Sequence, residues 1–198
     1  MSIVIENETY NNLLSFLKLE DYTPSVEAEL LLETNARYIK DLKINVSNAL
    51  KNAQSLSAKE AYLIAYAVAV NEKFVPLKAA FNGSATEAGA SKEELAEVVS
   101  LTSLMNVNNI FYRFRHFAKK EFYNTQPAGI KMSIMANPVL GKETFELISL
   151  VISAVNGCEL CVNSHESKLI QEGTAELKVL EAVKLGAILK GLIAVLAA

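Results

Sequence analysis

An all-helical fold is what this sequence predicts, and three observations carry the expectation. Apolar residues recur at steps of three and four, as in Leu13, Leu14, Phe16 and Leu17 and again in Leu30, Leu31, Leu32, Ile39, Leu42 and Ile44, the spacing of one helix face. Sustained period-two alternation, the mark of a half-buried strand, is scarce. Eight glycines and four prolines in 198 residues fall well below the roughly 7% and 5% of average chains, so helix breakers are few. Those that remain divide the chain at Thr23-Pro24, Asn82-Gly83-Ser84, Gln126-Pro127 and Asn137-Pro138, with Gly157 and Gly173 where helix C-caps would sit.

Taken in order, the first apolar run predicts a helix over 8–18, and the second, opening after Pro24, a helix over 25–43. Helices are then expected at 57–70, 73–88, 92–104 and 107–121. After Pro138 come 143–156, closed by Gly157, 158–172, closed by Gly173, and 175–196. That last helix holds the most apolar stretch, Leu185 to Ala198, which Lys190 interrupts. It is shorter than the roughly 20 residues of a membrane span and reads as a buried terminal helix.

With 51% hydrophobic and 21% charged residues, the chain is long enough to bury a real core as one domain, 1–198. A net charge of -3 offers no general attraction to phosphate backbones or anionic lipid, so neither nucleic acid nor membrane is an expected partner. The start MSIVIENETY lacks a basic region followed by an apolar one, so no secretory leader is expected. No phosphate-binding glycine motif occurs: Gly186 and Gly191 are followed by Leu192 where lysine would be required. Only two histidines exist, and no G-x-S-x-G elbow is present.

Two halves of the chain resemble each other. Laying 61–81 on 146–166 with an offset of 85 pairs Leu63 with Ile148, Ala69 with Ala154, Val70 with Val155 and Asn71 with Asn156. After a one-residue shift, Gly89 pairs with Gly173, Glu97 with Glu181 and Leu101 with Leu185. This divides the domain into N-terminal helices over about 1–50, a pseudo-repeat over 57–121 and a second over 143–198. Opposite Cys158, Cys161, His165 and Glu146 this alignment sets Lys73, Pro76, Ala80 and Ala61, so the reactive groups belong to the second half alone.

Those groups are the informative part of the sequence. The two cysteines form a single pair, Cys158-Glu159-Leu160-Cys161, which in a reducing compartment points to redox or metal chemistry. Gly157 ends one helix, so both thiols fall in the first turn of the next, where unpaired N–H groups and the helix dipole favour thiolate. Cys158, Cys161 and His165 follow at steps of three and four on one face. Glu146 sits early in the preceding helix among Phe145, Leu147, Ile148 and Leu150, a carboxylate in an oily neighbourhood. A redox pair, a metal half-site and two buried small residues all remain open from spacing alone. The run Tyr112-Arg113-Phe114-Arg115-His116-Phe117 reads as a solvated face over packed rings.

The arrangement Glu146, eleven residues, Cys158-x-x-Cys161, three residues, His165 resembles the alkyl hydroperoxidase D (AhpD) family of the carboxymuconolactone decarboxylase-like superfamily. So do Met105 to Arg113, Gly129 to Pro138, and Phe145-Glu146-Leu147 ahead of Asn156-Gly157-Cys158. The resemblance implies an all-helical homotrimer in the cytoplasm, an antioxidant thiol peroxidase and disulfide reductase. Electrons would come from dihydrolipoyl groups on a lipoyl-bearing protein, without a tightly bound cofactor or metal, and pass to alkyl hydroperoxides or to the peroxiredoxin AhpC. Carried over, Cys161 is the peroxidatic thiol, Cys158 the more exposed resolving thiol, and Glu146 with His165 a proton relay. Leu160 stands where typical members carry histidine. The apolar C-terminal helix offers surface for the trimer. Alternatives are a carboxymuconolactone decarboxylase-like enzyme, with Arg113 or Arg115 over a substrate carboxylate, and a non-catalytic metal-bound helical module.

Overall fold

The computed structural model describes residues 7–197, and among them every regular element is helical. In order these are α1 (Glu8–Phe16), α2 (Val26–Glu33), α3 (Tyr38–Lys51), α4 (Ala58–Asn71), α5 (Val75–Glu87), α6 (Lys92–Ala118), α7 (Glu121–Thr125), a 3-10 turn (Ser133–Met135), α8 (Lys142–Val155), α9 (Glu159–Gln171) and α10 (Glu176–Leu196). The all-helical expectation holds, with three departures at element boundaries.

The helix expected over 25–43 breaks in two because Asn35 takes a left-handed conformation, φ 48°, which asparagine tolerates better than most residues. The N–H groups of Asn35 and Ala36 then close back on Leu32 and Leu31, stopping α2 in a Schellman cap. The helices expected at 92–104 and 107–121 are one helix, α6, since Met105 and Asn106 bring neither proline nor a left-handed residue to interrupt it. Asn82-Gly83-Ser84 lies inside α5 and breaks nothing, as a lone glycine weakens a helix without obliging it to stop.

Two helix triplets form the body. Ala58, Val75 and Lys92 open α4, α5 and α6, and Lys142, Glu159 and Glu176 open α8, α9 and α10, each 84 positions later than its counterpart. Lys73 and Gly157 both take positive φ, 60° and 71°, between the first two helices of each triplet. The register expected across α4 and α5 is therefore one residue out. Opposite Cys158, Cys161, His165 and Glu146 stand Phe74, Leu77, Phe81 and Tyr62. The last two are tilted against each other, ring centroids 6.5 Å apart, so an aromatic pair occupies in the first triplet the positions held by Glu146 and His165 in the second. Buried glutamates at matching places tie the triplets together: Glu97 accepts from the N–H of Leu140, and Glu181 from those of Gln54 and Ser55.

α4 and α8 are the central helices, buried on nearly every side, with an unbroken buried run from Phe145 to Ser153. α10 packs on α3, α4 and α8 and sinks Leu185, Leu189, Leu192 and Leu196 into the core. Its N-terminal part still exposes Leu177 and Leu180, so the apolar surface expected on it is confined to that end. α6 also carries an exposed apolar row, Val107, Ile110, Phe114 and Phe117, continued by Phe122 on α7. Of the run expected to be a solvated face over packed rings, Arg115 does lie over the rings of Phe111 and Tyr112, but Phe114 and Phe117 are exposed; Arg113 and Arg115 bond to the carbonyls of Asn156 and Gln126.

The close approach of α10 to α8 depends on Gly186, where an added Cβ would lie 2.5 Å from Cγ1 of the buried Val151. An alanine in mid-helix normally gains about 1 kcal/mol over glycine. Here overpacking against a fixed valine costs about 1–3 kcal/mol and outweighs it. Gly186→Ala is expected to lower the thermal midpoint by a few degrees, and Gly186→Ala combined with Val151→Ala to recover most of the loss. A single variant as stable as the parent would show that the helices are free to separate.

Candidate active site

The site is built at the junction of α8 and α9. Gly157 lets the chain turn left-handed after α8, and the N–H of Cys158 returns to the carbonyl of Ser153, 3.0 Å, closing the α8 cap. The carbonyl of the same residue accepts from Val162, 2.9 Å, opening α9. One residue therefore ends one helix and begins the next. No side chain caps this start, so the first-turn N–H groups stay available to an anion beside Cys161.

A polar hub holds the turn in place. Asn156 donates to Asn109, 2.9 Å, and accepts from Asn71, 3.0 Å; Asn109 donates to the Ser153 hydroxyl, 2.9 Å. Asn106 donates to Asn71, 2.8 Å, and Arg113 reaches the Asn156 carbonyl, 2.5 Å. Sequence spacing gave no sign of these contacts, because they join α4, α6 and α8 across distances that no local pattern records.

Cys158 and Cys161 are joined as a disulfide with Cα atoms 5.3 Å apart. Cys158, expected to be the more exposed, is 0% exposed, whereas Cys161 retains 6%. Cys158 sits at the junction itself, the N-cap residue of α9 with its N–H folded back into the α8 cap. Cys161, one turn into α9, lines a cavity of about 380 Å³ with His165, Leu160 and Ser164 of α9, Asn108 and Tyr112 of α6, and Met132 and Met135.

The structure brings His165 and Glu146 together as the spacing suggested. Nδ1 of His165 donates to Oε2 of Glu146, 2.7 Å, and Glu146 is only 2% exposed. Its other oxygen, Oε1, accepts from Lys168, which the motif did not include. Lys168 lies one turn beyond His165 on the same face, the one signal that could have found it. Burial alone would push the Glu146 carboxyl up, but hydrogen bonds and charge from His165 and Lys168 bring it below its ordinary value. The carboxylate is ionised, with a donor on each oxygen. This arrangement can take a proton from the cavity at the far nitrogen of His165 and return it there, beside a sulfur able to cycle between thiol and disulfide.

Among the described residues no three His, Cys, Asp or Glu side chains converge as metal ligands do, and no helix is long and apolar enough to cross a membrane. The carboxymuconolactone decarboxylase family model matches residues 123–198, which span α8, α9 and α10. A protein of Maricaulis maris named alkyl hydroperoxide reductase AhpD is 39% identical over 162 residues, 81% of this chain and 92% of its own length. Proteins of the same name from Solibacter usitatus and Coxiella burnetii are 35% and 37% identical, over 86% and 78% of this chain and 96% and 88% of theirs. With a paired Cys158 and Cys161 in the structure and relatives this close over nearly their full lengths, the chain belongs to the AhpD family.

Proposed function

We propose that this protein is an antioxidant oxidoreductase that reduces alkyl hydroperoxides at Cys161 and regenerates the thiols with a dithiol. One observation carries the reading: Cys161 and His165 line the same cavity, and Glu146 orients the histidine from behind. In the reduced enzyme, the Cys161 thiol passes its proton to His165, and the thiolate attacks the terminal oxygen of the hydroperoxide. The S–O bond forms as the O–O bond breaks, and the departing alkoxide recovers that proton from His165. The Cys158 thiol then attacks the sulfenic sulfur and water leaves, giving the disulfide. The apolar lining from Tyr112, Met132, Met135 and Leu160 suits an alkyl group better than a bare hydrogen peroxide molecule.

Dihydrolipoyl groups are the reductant that the family resemblance supports, and an AhpC-type peroxiredoxin is the corresponding partner in disulfide exchange. A dithiol supply belongs to a reducing compartment, which supports a cytoplasmic enzyme. A decarboxylase would need a cation over a substrate carboxylate. Arg113 and Arg115 are both engaged on backbone carbonyls, and neither lines the cavity.

A turnover assay with an organic hydroperoxide and dihydrolipoamide tests the activity, and Cys161→Ser is expected to abolish peroxide consumption with no trappable sulfenic acid. Cys158→Ser should instead accumulate sulfenic acid at Cys161. The same phenotype in both variants would reject the assignment of roles. Glu146→Gln and His165→Gln should each slow the peroxide step by about 10² to 10⁴, and the double variant should be little worse than either, because a relay fails as a unit; additive losses would argue for independent roles.

For the homotrimer, the row Val107, Ile110, Phe114 and Phe117 is the face we assign to contact between copies of this chain, since an apolar stripe of this kind on a lone subunit marks an interaction surface. Light scattering is expected to report a trimer for the parent and a smaller species for Ile110→Glu. A parent that is monomeric at micromolar concentration would reject the trimer.

A further inference from the structure

Lys168 lies outside the motif, outside the cavity lining and half in solvent, its side chain 44% exposed, yet it is bonded to the most buried carboxylate of the site. We infer that Lys168 is a positioning residue of the peroxide reaction, fixing Glu146 so that His165 presents a free nitrogen to Cys161. The inference rests on the peroxidase reading above and extends it to a residue that never touches substrate.

The argument starts from the two oxygens of Glu146. His165 uses one and Lys168 the other, so the carboxylate plane is held at both ends, and with it the imidazole ring. A single donor would leave the second oxygen buried without a partner, an arrangement that costs free energy and invites protonation. Protonation would reverse the hydrogen bond. A neutral Glu146 would donate its O–H to Nδ1 of His165, and the ring proton would move to Nε2. A ring with Nε2 already protonated cannot accept the Cys161 proton. With Glu146 ionised, Nδ1 carries the proton and Nε2 is bare, able to take the thiol proton and then give it to the alkoxide. The proton is conserved through the step, and Lys168 supplies none of it.

The neighbouring charges do not duplicate Lys168. On α8, Glu143 is bound by Thr174 and by Lys178 of α10, and Glu60 of α4 shares Lys178. On α10, Glu181 is occupied by the N–H groups of Gln54 and Ser55. On α6, Arg113 is on the Asn156 carbonyl, Glu97 on the Leu140 N–H, and Tyr112 faces the cavity. On α9, Glu159 pairs with His116, and Glu166 is exposed. Among the described residues, Lys168 is the ammonium bonded to Glu146, and His165 is the carboxylate's other side-chain partner.

The sign of the pH effect follows. Removing the lysine charge lets the Glu146 carboxyl protonate at higher pH, so the acid limb of the rate profile moves upward. The test uses the full chain and its Lys168→Met and Lys168→Arg variants, with two readouts. In the first, hydroperoxide consumption by Lys168→Met is expected to fall on the order of tenfold, less than the loss of a general acid-base group itself. Its acid limb should be displaced to higher pH and its KM for the hydroperoxide should change by less than about twofold, while Lys168→Arg restores the parent profile. In the second, nitrogen-edited proton NMR of the oxidised protein follows the downfield Nδ1–H signal of His165. The chain has only two histidines, so assignment is direct; the signal should persist in the parent and Lys168→Arg and be lost or broadened in Lys168→Met. An unmoved acid limb, an unchanged Nδ1–H signal in Lys168→Met, or failure of arginine to rescue overturns the inference. A parent that consumes no hydroperoxide defeats the peroxidase reading instead, and the NMR comparison still decides whether Lys168 holds the Glu146–His165 pair.

Discussion

The geometry of the site depends on one constraint, the sharing of Cys158 between the end of α8 and the start of α9. A helix cap and a helix start that use the same residue leave no loop to flex, so Glu146 on α8 and the row of Cys161, His165 and Lys168 on α9 face each other in a fixed register. The hub of Asn71, Asn109, Asn156 and Arg113 braces that turn from α4 and α6. Its amides are paired with one another, which is the condition under which polar groups of a packed core add rigidity rather than cost.

The first helix triplet shows what this architecture looks like without chemistry. It has the same junction, with Lys73 in the left-handed position, and fills the corresponding sites with Tyr62, Phe74, Leu77 and Phe81. Burying aromatic and aliphatic side chains there stabilises the fold directly. The second triplet gives up that gain at Glu146 and His165. Taking a carboxylate out of water costs several kcal/mol unless its oxygens find donors, and in this chain both do. The asymmetry between the halves is thus energetic as well as chemical, since the buried carboxylate of the reactive half is held by two donors where the other half has an aromatic ring.

Periodicity was enough to show the helices, because a buried face repeats every three to four residues whatever it packs against. It could not show that Asn35 would stop α2, since that outcome turns on a single backbone conformation. The candidate site was legible for a related reason: Cys158, Cys161 and His165 share one helix face, and their spacing is local. Glu146 could be suspected only as a carboxylate among apolar neighbours. Lys168 stood on the same face as His165, but an exposed lysine in a helix is ordinary until its partner is known. The relative burial of the two cysteines was out of reach, because it depends on how the turn between α8 and α9 is packed and not on local spacing.

That difference in burial orders the proposed chemistry. The disulfide offers the cavity one sulfur, that of Cys161. A thiolate must approach a disulfide at a sulfur that it can reach, so under the proposed function the reductant attacks Cys161 and frees Cys158 as the leaving thiol. Under the same proposal the peroxide reacts at that sulfur too. Oxidant and reductant then use a single opening in turn, and neither can bind productively while the other occupies it. Such alternation suits a buried pair: the proposed relay through Glu146 and His165 would be needed at one atom only, and Cys158 can remain enclosed in the turn that fixes the rest of the site.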